Sequence, residues 1–136
     1  MTDHFTLRIP VSTSDRLERR SARTGVAKRT IAQRYLEEGL RHDDHPLVHF
    51  VAGATGRRAA LVGTGLDVWE VVATVHDNDG DVEEAADYLA VPVGVVQAAV
   101  SYYGEFGEEI DAEIAANDED WGRGRSAWEA GRRALR

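Results

Sequence analysis

The segment Phe5-Thr6-Leu7-Arg8-Ile9-Pro10 decides how the first third of the chain is read. Phe5, Leu7 and Ile9 alternate with Thr6 and Arg8, the period of a strand with one dry and one wet face. A lone strand of this length leaves backbone N–H and C=O groups unpaired on both edges and is unstable. No second alternating segment follows within hairpin reach, because the residues beyond Pro10 read as helix. The simplest partner is the same strand of another copy, antiparallel across a two-fold axis. One face of such a ribbon packs on helices. The other carries His4, Thr6 and Arg8, and a two-stranded ribbon fits a DNA major groove.

Pro10 ends the strand, and Ser12, Thr13 and Ser14 offer side-chain oxygens to cap a helix running through Arg23. Gly25 suits the left-handed position past that helix end. A second helix is predicted from about Ala27 to Arg41, with Ile31, Tyr35, Leu36 and Leu40 at helical spacing. The first helix has one strong apolar residue, Leu17. So few large apolar side chains in forty residues cannot sustain a monomeric core, which makes dimerisation through residues 5–10 a condition of folding.

These residues resemble the ribbon-helix-helix fold of the Arc and MetJ type repressors, over roughly the first third of the chain. The resemblance implies an intertwined dimer whose ribbon reads bases with the positions matching His4, Thr6 and Arg8. It also implies a phosphate held by the amides that open the second helix, near Ala27, Lys28 and Arg29.

The 136 residues suit one ordinary domain or two small ones, and the net charge is −8. That average hides three unlike parts. Residues 1–42 carry nine Lys/Arg against five Asp/Glu, residues 43–120 two against eighteen, and residues 121–136 five against one. The layout is basic, acidic, basic. There is no cysteine, which excludes disulfides and thiolate metal sites and makes a cytoplasmic setting the expectation. The N-terminus has no apolar run of signal-peptide length, and no segment approaches the length of a membrane span.

His42-Asp43-Asp44-His45-Pro46 reads as a solvated joint, so His42, His45 and His49 are not taken as metal ligands. Gly53-Ala54-Thr55-Gly56-Arg57-Arg58 lacks the Gly-Lys-Ser/Thr ending of a phosphate loop and reads as a turn before a short strand, Arg58–Val62. Gly63-Thr64-Gly65 makes another turn. Leu66–Val75 is helical with Val68, Val71, Val72 and Val75 on one face. Asp77-Asn78-Asp79-Gly80 breaks it and lacks the remaining ligands of a calcium loop. Asp81 caps a helix through Leu89, and Pro92 opens another that continues to about Ala116. The tight Ala90-Val91-Pro92 turn gives these three helices the look of a helix-turn-helix core.

Residues 46–115 resemble the small domain catalogued as domain-of-unknown-function family 433, on the run Leu61–Trp69 and the segments Asp81–Leu89 and Val95–Tyr103. That family occurs in antitoxins of bacterial toxin–antitoxin pairs, commonly beside a PIN-like nuclease toxin. The resemblance implies an antitoxin of VapB-like architecture. Val93–Tyr103, the would-be recognition helix, has no Lys or Arg, and Glu105, Glu108, Glu109, Asp111 and Glu113 follow it. Phosphates would be repelled there, so a packing or dimerisation module is expected.

In the tail, Trp121, Trp128 and Leu135 are seven apart, so a helix would carry one apolar stripe. Gly122, Gly124 and Gly131 each cost about 1 kcal/mol relative to Ala, so that helix should barely form alone. Trp and Arg are the usual anchors of protein interfaces. The tail therefore reads as a protein ligand, contacting a toxin through Trp121, Arg123, Arg125, Trp128, Arg132, Arg133 and Leu135. An arginine among a nuclease's metal-binding carboxylates would neutralise them. The alternatives are a frayed basic tail or one folded back on the acidic 105–120 segment of its own dimer.

The expected architecture is mainly α: a ribbon-helix-helix dimer domain over 1–42, a helix-turn-helix-like domain over 46–116 and a toxin-binding tail over 117–136. The expected partners are a PIN-like toxin, operator DNA and a second copy, with no membrane. Neither a cofactor nor a metal is expected. With no cysteine, no nucleophile elbow and carboxylates in helix-surface runs, no enzyme chemistry is expected. The competing reading is a stand-alone repressor whose second domain senses a ligand or a protein.

Overall fold

A computed structural model describes residues 1–53 and 56–136. The protein is mainly helical, with one small two-stranded antiparallel sheet among the described residues. The chain divides into two compact units, residues 1–41 and residues 42–136.

In the first unit, residues 1–10 form neither helix nor strand in the single chain. Phe5, Leu7 and Ile9 stay exposed, at 73%, 57% and 38%. The strand expected at residues 5–10 is thus not formed in the single chain, where no other described strand pairs with it. Helix α1 spans Val11–Thr24, one turn earlier than the serine caps suggest. The carbonyl of Pro10 accepts from the N–H groups of Thr13 and Ser14, so Ser12, Thr13 and Ser14 lie inside the helix. Gly25 closes α1 with φ 73°, the left-handed value that glycine adopts without strain. The following bend is fastened by side chains: Ser21 Oγ donates to the Val26 carbonyl at 2.7 Å, and Thr24 Oγ1 accepts from the Val26 N–H at 3.3 Å. Helix α2 spans Lys28–Asp44. No residue of α1 is buried, and in the first unit only Ile31 is.

The second unit opens on the last residues of α2 and corrects the reading of 42–46 as a solvated joint. His42 Nδ1 lies 2.7 Å from the Val48 carbonyl oxygen. His45 is half-buried, its ring edge-on to Tyr102 at 5.2 Å and its Nε2 2.7 Å from Glu105 Oε2. A hairpin follows, where only its second strand was expected. Strand β1 is Val48–Gly53 and β2 is Gly56–Leu61, in the register Val48↔Leu61 to Gly53↔Gly56. Gly53, Gly56 and Arg57 are thus strand rather than turn, while Arg58–Leu61 are strand as expected. Ala54 and Thr55, read as part of that turn, lie outside the described residues.

The turn at 63–65 stands, with Gly63 at φ 76° and Gly65 at φ 71°. Thr64 ties it down, donating to the Leu61 carbonyl and accepting from the Leu66 N–H. Because the Leu66 carbonyl accepts from the Leu61 N–H, α3 begins at Val68 rather than Leu66 and runs Val68–Asp77. Asp81 caps α4, Val82–Leu89, by accepting from the Glu84 N–H at 3.0 Å. Ala90, left-handed at φ 56°, ends α4.

Helix α5 spans Val93–Ala134 and breaks regular geometry at Phe106 (φ −119°, ψ 35°). The tail expected to be barely helical is therefore a continuation of this helix. Extending an existing helix avoids the nucleation cost that an isolated segment would meet. Helices α3, α4 and α5 pack on one another, β2 packs on α3, and β1 on α5. Their shared core is small-residue and valine-rich, centred on Leu61, Val68, Val71, Val96, Ala99, Tyr102 and Ile110. Removing such surface from water at ~25 cal/mol per Å² is the main favourable contribution to this unit.

Candidate functional site

Three exposed regions and one buried cluster carry the side chains that could do chemistry or bind. The first region is the N-terminal segment. His4, Thr6 and Arg8 are all exposed, with His4 Nε2 3.4 Å from Thr6 Oγ1. Their placement on one face of a ribbon requires the second strand and is not formed in the single chain.

At the second region, the start of α2, the structure brings Lys28 and Arg29 to the first helical turn, with no acidic residue there. A helix N-terminus carries partial positive charge, so cations in its first turn oppose the dipole while favouring a bound anion. Lys28 is not idle. Its Nζ lies 3.1 Å from Glu18 Oε1 and 3.3 Å from Ser14 Oγ. Both partners of that ion pair are substantially exposed, so it contributes little to stability.

Sequence reasoning passed over a further basic feature of this unit. Arg16, Arg19, Arg20 and Arg23 line, with Thr13, Leu17 and Tyr35, a cavity of about 420 Å³. Their spacing of three and four residues places them on neighbouring turns of one face, where like charges repel. That spacing is legible in the sequence itself.

The third region is the end of α5. Every residue from 115 to 136 is exposed. Trp121 is 72%, Trp128 67% and Leu135 90% exposed, at the seven-residue spacing that keeps them on one side. Arg123 pairs with Asp120 one turn earlier. Arg125, Arg132 and Arg133 lie on the same arm. The expected tail residues Trp121 to Arg133 thus lie on one helix, Leu135 caps its end, and all are exposed.

The buried cluster was not foreseen. Asp67 is 8% exposed and accepts from Trp69 Nε1–H at 3.0 Å, while Arg58 Nε lies 2.8 Å from its Oδ2. Glu70 reaches back to accept from the Asp67 N–H at 3.1 Å. Glu113, on α5, has its Oε2 buried without a hydrogen-bond partner. Burial, then the neighbouring Glu109 and Asp67 carboxylates, push its carboxyl up to about 7, against the opposing pull of Arg58. Earlier on the same helix, Tyr102 donates to Glu109 at 3.3 Å.

Among the described residues, no group of three or more His, Asp or Glu could hold a metal ion. No helix among them is long and apolar enough to cross a membrane. Comparison with protein-family models, with curated proteins and with solved structures finds no match to this chain.

Proposed function

We propose that the chain is a DNA-binding antitoxin of a type II toxin–antitoxin pair. One observation carries the reading: α5 projects a wholly exposed arm over residues 115–134 whose tryptophans and arginines have no core to serve. Exposed Trp at regular spacing with Arg beside it is the composition of an interface anchor, and an exposed apolar stripe of this kind is stable only with a partner. The partner is a PIN-like nuclease toxin. One of Arg123, Arg125, Arg132 and Arg133 reaches its metal-binding carboxylates.

The N-terminal unit supplies operator binding. Phe5, Leu7 and Ile9, exposed in one chain, become the dry face of a ribbon once two chains pair, in the ribbon-helix-helix manner. His4, Thr6 and Arg8 then face the major groove. Lys28 and Arg29 hold the flanking phosphates with the α2 amides. The second unit, of family 433 and helix-turn-helix type, acts as a packing module between ribbon and arm. Its Val93–Tyr103 segment, which buries Val96, Ala99 and Tyr102, offers DNA no cation.

The test is to truncate the chain after Asn117 and co-express it with the nuclease encoded beside it. Loss of co-purification and of growth rescue, with operator binding retained, is the expected result. A truncated protein that still silences the toxin would remove the arm from the mechanism.

A further inference from the structure

We propose that, when no other protein occupies it, the arm of α5 pairs antiparallel with the arm of a second copy of this chain. The proposal goes beyond the antitoxin reading and does not depend on it. It begins from the stripe Ile114, Trp121, Trp128 and Leu135. Ile114 packs against the core of the second unit, so the stripe starts on a fixed point and continues outward into solvent. On the adjoining positions, three residues on from Ile114, Trp121 and Trp128, lie Asn117, Gly124 and Gly131.

Glycine within a helix costs stability relative to alanine. At Gly124 and Gly131 nothing in the chain itself needs the missing methyl, since a Cβ built at either meets no atom within 4 Å. A second arm does need it. In an antiparallel pair, each large side chain sits between residues of the facing helix, opposite the second set of its stripe. One register places Trp121 over the partner's Gly131, Trp128 over its Gly124 and Leu135 beside its Asn117. The two-fold symmetry repeats all three contacts.

Charge decides that the occupant is this same chain, reversed. Residues 105–120 hold eight Asp/Glu and no Lys/Arg, while residues 121–136 hold five Arg and one Glu. In the register set by the tryptophans, Asp118, Glu119 and Asp120 lie across from Arg132, Arg133 and Arg136 of the other copy, at both ends. Asp118 and Arg132 take the flanking positions where charges meet across two helices. The one like-charge pair is Arg125 with its own copy, on the axis. Parallel pairing would instead set acid on acid and arginine on arginine along the whole arm. A toxin that takes the same stripe must then displace the partner arm, so arm pairing and toxin binding exclude one another.

The natural chain has no cysteine, so introduced thiols are unique. Full-length Asp118→Cys and Arg132→Cys proteins, mixed and treated with a short bis-maleimide, should give a crossed 118–132 product by peptide mapping, in preference to 118–118 or 132–132 links. In chains that also carry Leu7→Asp, so that residues 5–10 cannot pair, Trp121→Ala with Trp128→Ala should weaken association by about tenfold or more in sedimentation equilibrium, and raised salt should weaken association of the Leu7→Asp chain too. Links between like positions only, or no arm links, would overturn the proposal. So would a self-association of the Leu7→Asp chain that neither the tryptophan change nor salt alters.

Discussion

Arg58 Nε stands 2.8 Å from Asp67 Oδ2, so a guanidinium on β2 meets the carboxylate that precedes the first turn of α3. That contact couples the hairpin to the helical core, and Trp69 adds an N–H to the same oxygen. A nearly buried carboxylate stripped of either partner must keep its charge away from water, which is costly.

Arg58→Ala is therefore expected to lower the stability of the second unit by about 1–3 kcal/mol in denaturant unfolding. Arg58 is itself about a third exposed, which keeps the figure below that of a fully buried pair. Asp67→Ala removes the carboxylate that Arg58→Ala would leave orphaned, so the two losses should not sum in the double variant. Additive losses would show that the two side chains act separately.

Glu113 gives the protein a pH dependence of unusual sign. Its carboxyl titrates at about 7 in the folded chain, against an ordinary value of 4.5. The folded state holds this proton more tightly than the unfolded state, so the contribution is fully present below pH 4.5. It is lost as pH rises towards and through 7. Glu113→Gln should leave stability near pH 5 almost unchanged, raise it at pH 8, and flatten the profile between. Parallel melting profiles for parent and variant from pH 5 to 8 would refute the assignment.

How much of this could be read beforehand depended on whether local chemistry or distant packing set the outcome. Gly25, Gly63-Thr64-Gly65 and the Asp81 cap act within a few residues, and each stands where its sequence places it. The valine face of α3 was equally local. The hairpin was half missed because β1 ends in Ala52-Gly53 and β2 opens on Gly56-Arg57-Arg58, which carry turn and loop composition. Tertiary contacts with α3 and α5 hold them as strands. His45 looked solvated because its neighbours Tyr102 and Phe106 lie some sixty residues away. Helix α5 runs past the expected end near Ala116 to Ala134 because its last turns extend an existing helix and need no nucleus of their own. The candidate residues Trp121 to Arg133 lie on one exposed helix more regular than expected, whereas the strand expected at residues 5–10 is not formed in the single chain.

The first unit buries Ile31 and little else, with Tyr35, Leu36 and Leu40 at 42%, 49% and 62% exposure. Dimerisation through residues 5–10 is expected to cover this surface. Leu7→Asp or Ile9→Asp would put an unpaired charge into the shared face and should unfold the first unit while leaving the second intact. Circular dichroism combined with analytical ultracentrifugation reads both. A folded, monomeric fragment of residues 1–42 would sink the dimer.

Operator recognition makes the last prediction, because it separates base reading from phosphate holding. Arg8 offers a paired donor set that matches guanine in the major groove. Arg8→Ala should cost about 1–3 kcal/mol at one base position and leave other positions unaffected. Lys28 and Arg29 stand at the start of α2, where the helix dipole already favours an anion. Replacing either with Ala should weaken binding to all sequences alike and reduce the salt slope by about one. Lys28→Ala should be the milder change, since in the free protein that lysine is held by Glu18 and must be released to reach a phosphate. Fluorescence anisotropy on an operator series at several salt concentrations distinguishes these patterns. If Arg8→Ala is harmless while changes within Val93–Tyr103 abolish binding, DNA is read by the second unit and the ribbon serves assembly alone.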